Sequence, residues 1–466
     1  MRNTYIVGVH TLKFGKYLDR SIKDLTRETV TGALKDAGLD QSAIQSVWFS
    51  NSGWGMVGQT CIRGEVALRP MGIDCIPMTN VENACAGGST ALHGAWLDVA
   101  SGLFDISLAV GAEKLYHPNR MATFAGFLGG IDIEECVPFI EQLTSLGLSN
   151  AERAQMQAVR TAYHLPDKPP RSAKPLKRQY EDLRDSIKVG LYLGELLGYG
   201  TVRKLSKVIG GDHSTFMDIY GYIARAHMRR YGSTIEQLAA IASKNHFNST
   251  LNPNAQYRFE VSVEQAIADR TVSWPLTRSM CAPIGDGAAA AVVCSEDFVQ
   301  RNALGSQAVR IRASILGTGR ARPMDIEEME IGQRLARQAY DQAGVGPQDI
   351  NVAEVHDATA FGELRQAENL GFCAMGEGGL LAASGATRID GRIPINPSGG
   401  LISRGHPIGA SGLAQIHEIV TQLRGRADKR QVRAPRLALA ENGGGALGTE
   451  EAAMCIHILE APGIAH

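Results

Sequence analysis

The stretch Asn83-Ala84-Cys85-Ala86-Gly87-Gly88-Ser89-Thr90-Ala91-Leu92 passes from a polar turn through small residues into an apolar helix, with a cysteine at the junction. A cysteine in a helix's first turn faces unpaired N–H groups and the positive end of the helix dipole, both of which favour thiolate. Glycine costs about 1 kcal/mol relative to alanine inside a helix. Gly87 and Gly88 therefore imply close approach by a substrate or another backbone, with room over the sulfur for a planar group. The other reading of Cys85 is an inert core residue beside a tight helix crossing. A second passage of this kind is Asn396–Gly412, which contains Gly399, Gly400 and Ser403, candidate contributors to a substrate loop, and Gly405-His406-Pro407 before the periodic Leu413, Ile416, Ile419, Val420 and Leu423. Pro407 suits a first helical position and places His406 at the helix cap. Val352-Ala353-Glu354-Val355 reads as a short strand that delivers His356 and Asp357. One cysteine and two histidines thus stand at the mouths of regular elements, an arrangement suited to a base-activated thiol.

These residues need a scaffold that brings distant segments together, and an internal repeat supplies it. Residues 37–47 match 343–353 without a gap, and each copy follows an amphipathic helix and leads into a strand, 44–49 or 350–355. The first helix carries Ile22, Leu25, Val30, Ala33 and Leu34 on its apolar face; the second carries Ile331, Leu335, Ala336 and Ala339. The segments 106–111, 288–294, 437–440 and 452–459 are continuously apolar or small, as strands covered on both faces are. The expected fold is α/β, with two central mixed sheets and helices sandwiched between them. A pseudo-twofold would pack the two central helices together and put Cys85 and His406 in one cleft. Expected domains are residues 1–117 with 221–298 as one core half, 118–220 as an inserted lid, and 299–466 as the other half.

The chain's 466 residues, 44% of them hydrophobic, can build two large domains or one duplicated core. A formal net charge of -1 gives no reason to expect nucleic acid. The eight cysteines include no Cys-x-x-Cys or Cys-x-x-His pair, so neither a metal cluster nor a disulfide scaffold is expected. No apolar run is long enough to span a bilayer, no signal-peptide pattern opens the chain, and a cytoplasmic location is the expectation. Within 118–220, residues 149–163 look helical, and Lys168, Arg171, Lys174, Lys177 and Arg178 form a basic run. That run reads as a solvated face or as a rim for phosphates or an acidic partner. Gly190–Gly200 reads as a cover for an acyl tunnel or a partner contact.

At Cys85, His356, Asn396–Gly412 and Glu441-Asn442-Gly443-Gly444-Gly445 the chain resembles the thiolase superfamily, sterol-carrier-protein-2-type and bacterial lipid-transfer-protein-like members above all. Further matching stretches are Gly221–His227, Ala242–His246 and Asp286–Ala291. The resemblance covers most of the chain outside about 135–210. It implies that Cys85 forms an acyl-enzyme with a coenzyme A thioester and that His406 handles its proton. It also implies that His356 binds the thioester oxygen. Coenzyme A is then substrate or product, with no tightly bound cofactor and no metal. Asp357, next to His356 on an alternating strand, reads as structural. The family's second cysteine is missing from both of its usual places: Ala358 follows His356-Asp357, and Glu441 precedes Asn442-Gly443-Gly444-Gly445. Glu441 can serve as acid and base if burial raises its pKa, and is otherwise a cap or ion-pair residue. Glu363 and Tyr116 are held in reserve, and Cys373 lies after a helix. The expected activity is acyl-CoA C-acyl transfer through S-acyl-cysteine. The alternatives are retro-aldol cleavage of a 3-hydroxyacyl-CoA and noncatalytic thioester binding. By resemblance the partners are a second copy of the chain, as homodimer or larger, and a small zinc-ribbon/oligonucleotide-fold protein.

Overall fold

The computed structural model describes residues 1–116, 127–132, 135, 138–139, 142–143, 147–165, 215–320 and 330–463. Its strands are β1 (Thr4–Thr11), β2 (Ser46–Ser50), β3 (Met78–Val81), β4 (Ile106–Glu113), β5 (Thr271–Ser273), β6 (Leu276–Thr277), β7 (Gly287–Ser295), β8 (Val309–Thr318), β9 (Val352–Glu354), β10 (Leu437–Gly444) and β11 (Ala453–Glu460). β5 and β6 form a separate hairpin, and the rest are ordered β3-β2-β4-β7-β1-β8-β11-β10-β9. The two expected mixed half-sheets are both present. In the first, β2 runs parallel to β3 and β4, and β7 lies antiparallel between β4 and β1. In the second, β10 is parallel to β9 and antiparallel to β11, which pairs with β8. They meet edge to edge through Tyr5↔Arg310 and Ile6↔Val309, giving one continuous nine-stranded sheet.

The apolar strands are buried on both faces, which explains their composition. On β7, Ala289, Ala291 and Val293 join the core around the central helices, whereas Ala288, Ala290 and Val292 face the outer helix Ile22–Ala37. The central helices, Gly87–Ala100 and Ser411–Leu423, bury Leu92, Trp96, Leu413, Ile416 and Ile419 in that shared core. Each fully buried aliphatic chain there contributes about 1.5–3 kcal/mol.

The repeat persists in backbone detail. Gly38 (φ 71°) and Gly344 (φ 66°) end the paired outer helices in the left-handed conformation that glycine tolerates best. Short 3₁₀ turns follow at Gln41–Ala43 and Pro347–Asp349. The Gln45 N–H then donates to the Ile106 carbonyl as the Asn351 N–H does to that of Leu437. The strands after these turns start at Ser46 and Val352, later than the expected 44 and 350, because Ile44 and Ile350 cap the 3₁₀ turns, their N–H groups donating to the Gln41 and Pro347 carbonyls.

The helix expected at 149–163 is present as Asn150–Ala162, with Ser149 and Glu152 forming a reciprocal cap. The expected boundary at 220/221 falls inside the helix Thr215–Tyr231. That helix and Ile235–Thr250 bury Ile219, Ile223, Leu238 and Ile241 against Phe361 and Leu364 of the second half, forming a separate core outside the sheet. The basic run from Lys168 to Arg178 and the segment Gly190–Gly200 lie outside the described residues. No described helix is long and apolar enough to cross a membrane.

Candidate active site

Cys85 lies in a turn ahead of the helix that begins at Gly87, not in the helix's first turn. The Ala86 and Gly87 N–H groups donate to the Asn83 and Ala84 carbonyls, and Ala84 adopts φ 46°, a conformation that L-residues rarely take. Gly87 and Gly88 do not open space over the sulfur as expected. A side chain on Gly87 would strike the Ser50 hydroxyl, and one on Gly88 would lie 3.0 Å from the Gly409 carbonyl. On the other helix, a side chain at Gly412 would lie 2.6 Å from the Ser89 nitrogen. Gly88 and Gly412 serve the crossing of the central helices, Gly87 seats the first of them against β2, and this packing sets Cys85 opposite His406.

His406 Nε2 is 3.2 Å from Cys85 Sγ, and its Nδ1 is 2.7 Å from Ser411 Oγ. The Ser411 hydroxyl donates to the Pro407 carbonyl at 2.9 Å, so it accepts from His406 Nδ1–H. That tautomer leaves the Nε2 lone pair facing the thiol. Pro407 caps a short 3₁₀ turn, Ile408–Ala410, ahead of the helix, one step earlier than the expected first helical position. Burial pushes the Cys85 thiol up to about 12, with Glu113 and Glu82 adding to the rise, while N–H groups of Gly445 and of Cys85 itself oppose it. Burial also holds His406 well below the ordinary imidazole range, with His356 and Arg404 contributing. Burial thus works against both the thiolate and the imidazolium, in the opposite direction to the helix-terminus effect expected from the sequence.

His356 follows β9, and its ring meets that of His406 edge-on, 5.2 Å between centroids. Asn442 Nδ2 donates to His356 Nδ1 at 2.9 Å, which leaves Nε2 as the protonated nitrogen. Burial pushes the ring down to about 4, so it is a neutral donor at ordinary pH. The ligating atoms of Cys85, His356 and His406 lie within 4.8 Å of one another, a spacing compatible with a metal as well as with proton transfer. Ser411 and Asn442 orient the two imidazoles for the second task. Asp357 is structural: its carboxyl accepts from Leu401 N–H (2.6 Å) and Asn245 Nδ2 (2.8 Å).

Glu441 stands behind His356, where its Oε2 accepts from the His356 backbone N–H at 2.8 Å. Its Oε1 is buried without a partner, and burial pushes the carboxyl up to about 8. Glu441 does not line the cavity in front of Cys85.

That cavity, about 720 Å³, has an apolar wall including Phe127, Phe216, Tyr220 and Ile223 and a polar rim that includes Arg63 and Arg278. Cys85, His356 and His406 all line it. Gly399, Gly400 and Ser403 do not, contrary to expectation. A side chain on Gly399 would lie 2.6 Å from Ser249 Cβ, one on Gly400 would strike the Asp357 carboxylate, and Ser403 Oγ bonds Ser249 Oγ at 2.7 Å. Glu363 is likewise absent from the wall: it pairs with Lys244 and accepts from Asn245 and Asn396. Tyr116, whose N–H donates to Asp286, and half-buried Cys373 also lie away from it.

Sequence reasoning overlooked Ser411, Asn442, Glu113 and Glu451. Glu113, a charge ending an apolar strand, carried a legible signal. Its buried carboxylate accepts from Asn51 Nδ2, from the Ser52 and Gly53 N–H groups and from Gly409 N–H, tying the loop after β2 to the turn that follows His406. The other three became visible only through tertiary contacts.

A duplicated α/β core that brings a cysteine from one half against a histidine from the other has the form of a thiolase. Residues 4–133 match the thiolase N-terminal domain, and residues 322–459 the thiolase C-terminal domain-like family. The chain is 34% identical over 451 residues to the acetyl-CoA acetyltransferase of Methanothermobacter thermautotrophicus, covering 96% of this chain and 98% of that protein. It is 34% identical to human sterol carrier protein 2, covering 95% of this chain and 70% of that one. It is 31% identical to the benzoylsuccinyl-CoA thiolase subunit BbsB of Thauera aromatica, covering 95% of each. This chain belongs to the thiolase superfamily. Its fold is similar to that of the Ltp2-ChsH2(DUF35) aldolase (TM-score 0.68, 22% identity, covering 100% of this chain and 99% of that one). It is also similar to that of human mitochondrial 3-ketoacyl-CoA thiolase (TM-score 0.62, 16% identity, covering 99% of each).

Proposed function

We propose that this protein is an acyl-CoA C-acyltransferase that makes or breaks the carbon–carbon bond of a 3-oxoacyl-CoA through an S-acyl-Cys85 intermediate. The observation that carries the reading is the 3.2 Å approach of His406 Nε2 to Cys85 Sγ at the wall of the cavity. In cleavage, His406 takes the thiol proton as sulfur adds to the 3-carbonyl. The bond between C2 and C3 then breaks, leaving acyl-Cys85 and the enolate of the shortened acyl-CoA. His356 Nε2–H donates to the enolate oxygen, a place where loss of one donor costs about 10²–10³ in rate. The Gly445 and Cys85 N–H groups beside the sulfur serve the carbonyl of the acyl-enzyme. A carboxylic acid of the Glu441 region protonates the enolate carbon and later takes the proton of an incoming CoA thiol. That thiolate attacks acyl-Cys85, and the departing Cys85 sulfur recovers its proton from His406. Condensation is the reverse.

Family membership supports coenzyme A as substrate or product. Assembly as a homodimer or larger, a small zinc-ribbon/oligonucleotide-fold partner and a cytoplasmic location belong to the same proposal. Intact-complex mass measurement after copurification tests the assembly, and a native monomer overturns it.

The chemical test is brief incubation with a 3-oxoacyl-CoA followed by intact mass measurement. The expected result is one acyl group per chain, lost in Cys85→Ala. Retained turnover in Cys85→Ala overturns the covalent mechanism in favour of retro-aldol chemistry.

A further inference from the structure

The proposed reaction needs an acid that reaches the enolate carbon, yet Glu441 is walled off from the cavity. Its Oε2 is committed to the His356 N–H, and its partnerless Oε1 points along β10 toward Gly443. Glu451 borders the same spot from the other side. A side chain built on Gly443 would lie 2.9 Å from Glu451 Cγ, 3.5 Å from Met454 Cε and 3.6 Å from Glu441 Oε1, so the two glutamates border one small space over the glycine with the Met454 methyl beside them. Unlike Glu441, Glu451 lines the cavity, as do Gly443 and Cys85. Glu451 is 7% exposed; its Oε1 accepts from Arg365 Nη1 at 3.3 Å, and its Oε2 is buried without a partner. Two buried carboxyl groups thus each have one oxygen without a partner, Glu441 Oε1 and Glu451 Cγ border the same glycine, and of the two residues only Glu451 lines the cavity.

We propose that Glu451 is the group that delivers and removes the proton at the substrate α-carbon, with Glu441 as the buried store that reloads it across Gly443. This rests on the acyl-cysteine reading above and assigns its missing acid. In cleavage the Glu451 carboxyl proton bonds to the enolate carbon and leaves Glu451 as carboxylate. Glu441 passes its own proton across and becomes the carboxylate of the pair. The proton released by the incoming CoA thiol restores the starting state, so nothing is gained or lost over a turnover. Arg365 bears on the choice of partner. It also pairs with Glu330, at 2.5 Å, so its charge is shared between two carboxylates and does not pin Glu451 as a simple ion pair. Burial raises the pKa of both Glu441 and Glu451, and each raises that of the Tyr220 phenol on the same cavity wall. Like charges this close favour a pair that holds a proton between them.

The experiment measures two half-reactions on the same preparations. Cys85 acylation is read by intact mass with a 3-oxoacyl-CoA, and α-proton exchange is read by deuterium uptake into the acyl-CoA product in D₂O. The Glu451→Gln variant should acylate within about threefold of wild type but exchange about 100-fold more slowly, the scale of a lost general acid–base group. Glu451→Asp should recover part of the exchange. Gly443→Ala retains both carboxyls and should still slow exchange, because its methyl group would displace the Glu451 side chain. Wild-type exchange rates in both Glu451→Gln and Gly443→Ala would overturn the relay. So would equal losses of acylation and exchange in Glu451→Gln together with no recovery in Glu451→Asp, the pattern of a structural ion pair. Failure of the wild-type chain to acylate Cys85 would instead overturn the acyl-cysteine reading.

Discussion

The two halves share a scaffold and divide the chemistry unequally. Both open with an outer helix closed by a left-handed glycine, a 3₁₀ turn and a strand whose leading residue bonds to a neighbouring strand. Both then reach a central helix preceded by a reactive side chain, Cys85 in one and His406 in the other. Yet in the proposed mechanism the first half supplies one reacting atom, whereas the second supplies both imidazoles, their orienting partners Ser411 and Asn442, and the carboxyls of Glu441 and Glu451. The sheet needs the same packing in each copy, so the copies agree there. The strand ends and the loops beyond them pack differently in each half and are where the copies have separated. Nucleophile and proton handling can therefore be altered independently.

The largest effect expected is on the nucleophile side. Cys85→Ala should lower turnover by about 10⁴-fold or more and abolish acyl-enzyme, measured by steady-state rate and intact mass. On the proton side, His406→Ala should slow acylation itself by about 10²–10⁴-fold in single-turnover measurements, because it removes the imidazole nitrogen that lies 3.2 Å from the thiol. His356→Ala should leave acyl-CoA binding intact and slow carbon–carbon cleavage by about 10²–10³-fold, which the ratio of kcat to Kd reads. A pH profile sharpens the division further. Glu441 holds its proton up to about pH 8 in the folded protein, so acyl transfer should fall as pH rises through 8 while Cys85 acylation lacks that limb. The same raised pKa stabilises the fold below the ordinary 4.5 of glutamate, and that contribution is lost as pH climbs toward about 8. The smallest effect concerns the link between the halves. Glu113→Gln faces buried N–H donors with an amide that accepts at only one atom, and should cost about 1–3 kcal/mol in denaturant unfolding.

The sequence made the scaffold legible through period and repetition. The gap-free match of 37–47 with 343–353 and the two small-residue helix starts place Cys85 and His406 together. Protonation state was not legible in the same way, because a cysteine before a helix looks electropositive until its burial is known. Gly399 and Gly400 resembled a substrate loop by composition, but their role is to admit Ser249 and the Asp357 carboxylate. Asn442 and Ser411 carry no spacing signal, since their partners lie on other elements or across a turn. Glu451 lies well down the chain from Glu441, and only the return of β11 alongside β10 brings it back to Gly443.

The placement of β7 governs how this chain emerges from synthesis. β1 and β4 do not touch each other; each completes its ladder on Gly287–Ser295. Until the ribosome has released residue 295, the first half carries two strands with open hydrogen-bonding edges and an unfilled seat between them. Exposed edges of that kind invite pairing with other chains. A nonsense truncation between β4 and β7 should yield an aggregating product instead of a folded fragment.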